Sequence, residues 1–542
     1  MHIPTEACVT SMKPPNLRKG LVGTAAAATV ILAAAVTLFG GHESPQPTGL
    51  RFEFVKIVDT DTPVPGGTGT FRHLGQLSLS AGMFAFRGRD QDLREGIYVG
   101  RVDDPTTLRV AYDTTTPIPG GTGTFESFGT PSLSYGKLAF RAGAGLQGGV
   151  YTDATGTLEP LADRNTPIPG GTGNFVGFSS EAWLYRGEVV FQASGTGGQG
   201  GIYTNSGGTL RVVASSSTQI PGGAGQFTNF GFGGPTPAIR DGVIVFRGGG
   251  AGGHRGVYKE ANGLLEIVAD TNTTVPGGTS VFISFESSFG QAGSVEGDTV
   301  MFVGSGNHGE EGLYASVGGI LSAVVDRNTL VPDLPSGLPP LRFTSLGAQG
   351  FGLHNGKVSF LGDNFFTQGV YTTLGGSLRK VVTNGDLLEG RASNSFGTYG
   401  ESLYGNAVAF LVGNFGGAEA HASFAALLVR DVAVDIKPRD SVNAINPRSR
   451  GVIPVAILSE SDFDATTAIV PASLRFGRHG TEPSLSQCGA EDANGDGLAD
   501  LVCYFFTQDA GFQPGDTEGI LTGETIDKIP LNGRDAIRIV GR

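Results

Sequence analysis

Charge is scarce in this sequence. Asp, Glu, Lys and Arg together make 16% of 542 residues, against a usual ~25%. Helix-forming Glu and Lys are thin, while Gly (89) and Pro (29) are plentiful, which excludes a helical bundle. Cysteine is nearly missing: Cys8, Cys488 and Cys503 are too few for a disulfide scaffold. Positive charge is in deficit, 37 against 50 acidic residues for a net −13. An acidic surface repels phosphate backbones and predicts no nucleic-acid partner. Glycine has no three-residue period, so collagen is excluded. Disorder is excluded as well, because it goes with few aromatics and high charge, and this chain has 34 Phe and 12 Tyr. What remains is an all-β chain with many tight turns.

Long apolar runs are missing after the first forty residues. The one present spans Leu21 to Phe39, preceded by Lys13, Arg18 and Lys19. A basic stretch before an apolar one reads as a signal peptide, with Ala33-Ala34-Ala35 as the cleavage region. At 19 residues it is also long enough for a retained anchor. Either way the rest is expected outside the cytoplasmic membrane, secreted or in the envelope. Membrane contact is then expected only through this segment, if uncleaved. Met12 offers an alternative start that would remove Cys8.

Repetition organises the middle of the chain. Pro-Gly-Gly recurs at Pro65, Pro119, Pro169, Pro221 and Pro276. A tyrosine keeps step at Tyr98, Tyr151, Tyr203, Tyr258, Tyr314 and Tyr371. Phe71, Phe125, Phe175, Phe227, Phe282, Phe343 and Phe396 extend the count to seven units. One unit reads as four strands: Phe125 to Ser134, Lys137 to Arg141, around Gly149 to Tyr151, and Leu158 to Asp163. Four short strands per ~50 residues predict a β-propeller blade; stacked β-solenoid turns are the alternative. The seventh unit lacks its fourth strand, and Phe54 to Asp59 is a spare copy of it. A ring closed by its N-terminal strand removes two sheet edges. The expected layout is a signal or anchor with linker (1–50), a seven-bladed propeller (51–431) and a small β-sandwich-like domain (432–542).

In such blades the Pro-Gly-Gly loops and the variable second-to-third loops share one face. Arg89 to Glu95, Gly248 to Arg255 and Gly304 to Glu311 are examples, and that face is the expected recognition surface. Asp-x-x-Thr recurs at Asp59, Asp113, Asp163, Asp270 and Asp326. It reads either as a ring of ligand-binding carboxylates or as an Asx turn needed in every blade. His73, His254, His308, His354 and His421 form no metal-like i, i+4 pair, though His254 and His308 sit in matching loops. No Gly-x-Ser-x-Gly elbow is present.

After Val432 the glycine repeats stop. Asp492-Ala493-Asn494-Gly495-Asp496-Gly497-Leu498-Ala499-Asp500 places oxygen ligands at positions 1, 3, 5 and 9, with the Leu498 carbonyl at 7. That spacing suits a weakly held structural Ca²⁺; a plain Asx-rich turn is the alternative. Position 12 is Cys503, so Glu491, Asp516, Glu518 or a water would complete the shell. Cys488 and Cys503 flank the loop, either as a disulfide or as two buried thiols.

The segment from Val432 to Val540 resembles a β-sandwich-like module at the ends of secreted bacterial and archaeal proteins. The resemblance rests on Val434-Asp435-Ile436-Lys437-Pro438, Ile445-Asn446-Pro447, Ile453 to Ile457, Glu491 to Gly497, Gly515 to Glu518 and Leu521 to Thr525. The repeats resemble exported bacterial proteins with Pro-Gly-Gly-Thr-Gly repeats, a family to which no activity is attached. Neither resemblance brings a catalytic residue. The expectation is therefore a monomeric, exported, non-enzymatic protein that binds an extracellular glycan or protein. The alternatives are a secreted polysaccharide hydrolase or lyase using channel carboxylates such as Glu126, Glu181 or Glu286, and a purely structural envelope protein.

Overall fold

The computed structural model describes residues 49–541 apart from 224, 231–236, 286–292, 335–336, 338, 394 and 414–419, and leaves out the side chains of 348–349, 392 and 420–421. The expected signal or anchor, Met12 and Glu286 lie outside the described residues, as does the side chain of His421. Among the described residues no helix is long and apolar enough to cross a membrane.

The chain folds into successive four-stranded antiparallel meanders. The first is Phe71–Ser80, Met83–Asp90, Glu95–Arg101 and Arg109–Asp113, paired in sequence order. The next has Lys137–Ala144, Gln147–Thr152 and Glu159–Asp163 close to expectation, but its first strand is broken into Ser127–Phe128 and Ser132–Ser134. The break has a cause. A Cβ on Gly129 would come 2.0 Å from the Ser180 carbonyl of the next sheet, and Pro131 cannot donate to a ladder. The same plan returns from Phe175–Tyr185 to Arg211–Ser215, from Phe227–Asn229 to Leu264–Asp270, from Phe282–Ser284 to Ile320–Asp326, and from Ser345–His354 to Arg379–Thr383.

The last blade is completed from the other end of the chain. Gly49–Asp59 pairs antiparallel with Ala420–Asp431, from Gly49 opposite Asp431 to Asp59 opposite Ala422. First strands of successive sheets line one central cavity through Leu79, Leu133, Trp183, Ile239, Val295, Leu353 and Leu403. Sheets set radially around a shared axis make a β-propeller, not a solenoid.

The repeated aromatics form the blade cores. Phe71 meets Tyr98 edge-on at 4.8 Å, and the pair recurs as Phe125–Tyr151 at 4.9 Å and Phe175–Tyr203 at 4.8 Å. Each such contact adds ~0.5–1.5 kcal/mol beyond burial. Space for them is made by strand glycines: a Cβ on Gly88 would come 2.6 Å from the Phe71 ring. Glycine is therefore needed inside strands as well as in turns.

The Pro-Gly-Gly loops are type II turns. Gly67 N–H donates to the Val64 carbonyl at 3.1 Å, with Pro65 at the second position and Gly66 at φ 73 in the third. The repeated Asp-x-x-Thr is a reciprocal turn: Asp59 N–H donates to Thr62 Oγ1 at 3.0 Å, and Thr62 Oγ1 donates to Asp59 Oδ1 at 2.6 Å. Asp163, Asp270 and Asp326 repeat it.

Beyond Asp431 the chain builds a second core. Val434–Ile436, Val452–Ile457, Asp500–Phe506 and Leu485–Glu491 form one sheet. Arg475–Gly477, Glu518–Glu524 and Pro530–Ala536 form another, which continues the last blade through Arg430 beside Leu531 and Asp431 beside Asn532. Ile436, Val455, Phe476, Phe505 and Leu521 are packed between them.

Candidate functional site

The first two strands of each blade meet in a tight hairpin on the face opposite the Pro-Gly-Gly loops. Ala81-Gly82, Tyr135-Gly136, Arg186-Gly187, Asp241-Gly242 and Asn355-Gly356 all have positive φ at both positions, the type I′ geometry that matches strand twist. The residue entering each turn occupies one equivalent position around the channel. In order these are Ser80, Ser134, Tyr185, Arg240, Glu296, His354 and Tyr404. Core positions repeat from blade to blade, whereas this ring does not.

Its side chains interlock. The Arg186 guanidinium lies 5.4 Å from the Tyr135 ring centre and 5.3 Å from that of Tyr185. Arg240 lies 5.1 Å from the centre of the same Tyr185 ring. Arg240 pairs with Glu296 at 2.6 Å, and Arg186 reaches Asp241 at 3.6 Å. The Arg240 Nε–H is buried with no partner. His354 stacks on Tyr404 at 4.3 Å. Burial, then the Arg240 charge, pushes His354 below its ordinary pKa, so it is neutral at pH 7. A hydrogen bond from Arg186 pulls the Tyr135 phenol down.

Below the ring, blades are tied by serines. Leu133 N–H donates to Ser78 Oγ, and Leu184 N–H to Ser132 Oγ, each at 2.9 Å. Both serines also donate to the Glu401 carboxylate, which accepts from Leu133 N–H at 3.3 Å. One carboxyl of the last blade thus joins the first two. Enclosure by protein raises its pKa to about 7, with the Glu181 charge adding and the hydrogen bonds opposing.

Other expected site residues are dispersed. His254 Nε2 bonds Tyr258 within its own blade at 3.0 Å, and His308 Nδ1 bonds Thr279 at 3.3 Å. Glu126 accepts from the Gly145 N–H in an exposed loop.

In the C-terminal module, Cys488 and Cys503 form a disulfide. They face each other across the hairpin of Leu485–Glu491 and Asp500–Phe506, whose tip is the candidate calcium loop. Asp492 accepts from Gly495 and Gly497 N–H at 2.7 and 3.1 Å, Asn494 from Asp496 N–H, and Asp496 from Leu498 N–H at 2.8 Å. These three side chains stay exposed, and each accepting oxygen keeps a second lone pair. The Leu498 N–H bond lowers the Asp496 pKa first, with Asn494 adding. Asp500 is set apart: it is fully buried, with one oxygen on Ser459 N–H and the other on Ala493 N–H. Glu491, Asp516 and Glu518 pair with Arg439, Arg478 and Arg534. Among the described residues no three Asp, Glu, His or Cys side chains converge as a metal-holding group; the loop offers two Asp and one Asn.

A family of unknown function, DUF7453, matches residues 57–239. No protein of curated function matches the chain. Among solved structures it is similar to the β-propeller domain of the trilobed protease of Pyrococcus furiosus: 10% identity, TM-score 0.40, 67% of this chain and 98% of that one. It is also similar to the Pyrococcus horikoshii acylaminoacyl peptidase: 9% identity, TM-score 0.39, 72% of this chain and 58% of that one. The six-bladed fungal lectin of Aleuria aurantia is a third: 9% identity, TM-score 0.30, 58% of this chain and 97% of that one. These are likenesses of fold alone. The expectation that the chain is not an enzyme does not stand beside them: two of the three are a protease domain and a peptidase.

The hairpin ring is absent from the sequence-based expectations. Its signal lies in the column of residues preceding each X-Gly turn, where chemistry changes from blade to blade.

Proposed function

We propose that this chain is an exported, monomeric, seven-bladed propeller with a β-sandwich-like C-terminal domain. It binds an extracellular glycan or protein at the channel mouth formed by the first-to-second hairpins. One observation carries the reading: the ring from Ser80 to Tyr404 abandons repetition and gathers Tyr, Arg, Glu and His. Structural turns obey the repeat, as Asp-x-x-Thr and Pro-Gly-Gly do. A selected site departs from it. The Cys488–Cys503 disulfide agrees with an oxidising compartment.

Glycan and peptide arrays probed with the full chain, Arg240→Ala and Phe365→Ala test it. Phe365 is 84% exposed on the Pro-Gly-Gly face. Binding lost in Arg240→Ala and kept in Phe365→Ala is expected; the reverse overturns the reading.

The C-terminal loop takes Ca²⁺ through Asp492, Asn494, Asp496 and the Leu498 carbonyl. Asp500 acts from behind, holding the loop to Ser459. Chelator is expected to lower the Tm of the full chain and to leave that of Asp496→Ala unchanged; an equal or absent response in both reduces the loop to a turn.

A further inference from the structure

We propose that the ligand of the channel mouth is a neutral saccharide, gripped by two preformed guanidinium–carboxylate pairs beside an exposed phenol ring. This rests on the mouth being the binding site and adds the chemical class.

Charge at the mouth is balanced. Arg240 is matched by Glu296 at 2.6 Å and Arg186 by Asp241 at 3.6 Å, and His354 beside them is neutral. An anion would approach two carboxylates, and a cation two guanidiniums. A hydroxyl both donates and accepts, so it meets a guanidinium and a carboxylate held side by side without displacing either.

The cavity is also small. The space beneath the mouth is about 60 Å³, well under the ~150 Å³ that admits a benzene ring. No aromatic anchor of a protein partner enters it, so the ligand lies across the mouth. There Tyr135 is 48% exposed and offers an apolar face to the C–H side of a sugar ring. Arg186 fixes it by a 3.5 Å contact from Nη2 to its hydroxyl.

The pair most open to a ligand is Arg186 with Asp241, side chains 61% and 54% exposed. Arg240 is 19% exposed, and its Nε–H is buried without a protein partner. The guanidinium is already stacked on Tyr185 and paired with Glu296, so little ordering remains for the ligand to impose.

The test is an array of neutral hexose, pentose and N-acetylhexosamine oligosaccharides, matched uronic-acid oligosaccharides and short peptides, followed by calorimetry on the best binder. The full chain is compared with Tyr135→Ala, Arg240→Gln and the charge-neutral pair Arg240→Gln/Glu296→Gln, each checked for folding by its disulfide and Tm. Neutral oligosaccharides are expected to bind. Each variant should weaken them at least tenfold, and a rise from 50 to 500 mM salt should change Kd less than twofold, since no net charge is neutralised. Binding confined to uronic acids with steep salt dependence, or to peptides, and lost in the same variants overturns the saccharide class while leaving the site. Binding that ignores all three variants overturns the site itself. No binding on any arm counts against both.

Discussion

Glu401→Gln gives a pH signature that can be worked out in advance. Glu401 borders the channel, and its carboxylate accepts from Ser78, Ser132 and Leu133 N–H. Its pKa rises from 4.5 to about 7, chiefly through burial. In the unfolded chain the proton leaves near pH 4.5; in the folded one it stays until about 7. Across that window the folded state holds more protons, so stability falls as pH rises. A difference of ~2.5 between the two pKa values, at ~1.36 kcal/mol for each, is ~3 kcal/mol, a ceiling because channel water screens part of it. The amide of Glu401→Gln cannot ionise. Its hydrogen bonds to the serines add a fixed offset, but the difference from wild type should move by up to ~3 kcal/mol in its favour between about pH 4.5 and 8. Urea unfolding at several pH values measures this. The only Trp of the sequence, Trp183, lines the channel and reports through fluorescence. Parallel stability–pH curves for the two proteins would refute the reasoning.

Other expectations concern the framework. Gly88→Ala places a methyl 2.6 Å from the Phe71 ring and should cost ~1–3 kcal/mol by overpacking, read as a lower urea midpoint; a midpoint unchanged from wild type would show that the Phe71–Tyr98 pair yields freely. Cys488→Ser/Cys503→Ser should lose roughly 3 kcal/mol, the chain-entropy value for a loop of this length, and the wild type should show the same loss under reductant. Removing residues 49–59 exposes the edge of Ala420–Asp431 along its whole length, an aggregation hazard; light scattering should rise, and a monodisperse product would contradict closure by this strand.

Legibility follows distance and repetition. The Phe and Tyr of each blade are readable in the sequence because their spacing is fixed by the packing they perform. The N-terminal strand is readable because one unit lacks what another has spare. The first strand of the second blade reads as continuous, since nothing local shows that Ser180 of the next sheet presses on Gly129. Glu401 is invisible because its partners lie 323 and 269 residues away. The calcium-type loop is local, so its pattern is plain. The role of Asp500 is not, because Ser459 lies 41 residues off. Sequence places the recognition face on the loops that vary most between blades. Their repeated parts are satisfied turns; the hairpin ring, whose chemistry also changes from blade to blade, is the site we propose in their place.

The most direct measurement is a crystal structure of the full chain soaked with its best-binding neutral oligosaccharide. Sugar density is expected across Tyr135, with hydroxyls within hydrogen-bond distance of the exposed Arg186 and Asp241 side chains. Density on the Pro-Gly-Gly face with an empty mouth would contradict a saccharide site at the channel mouth.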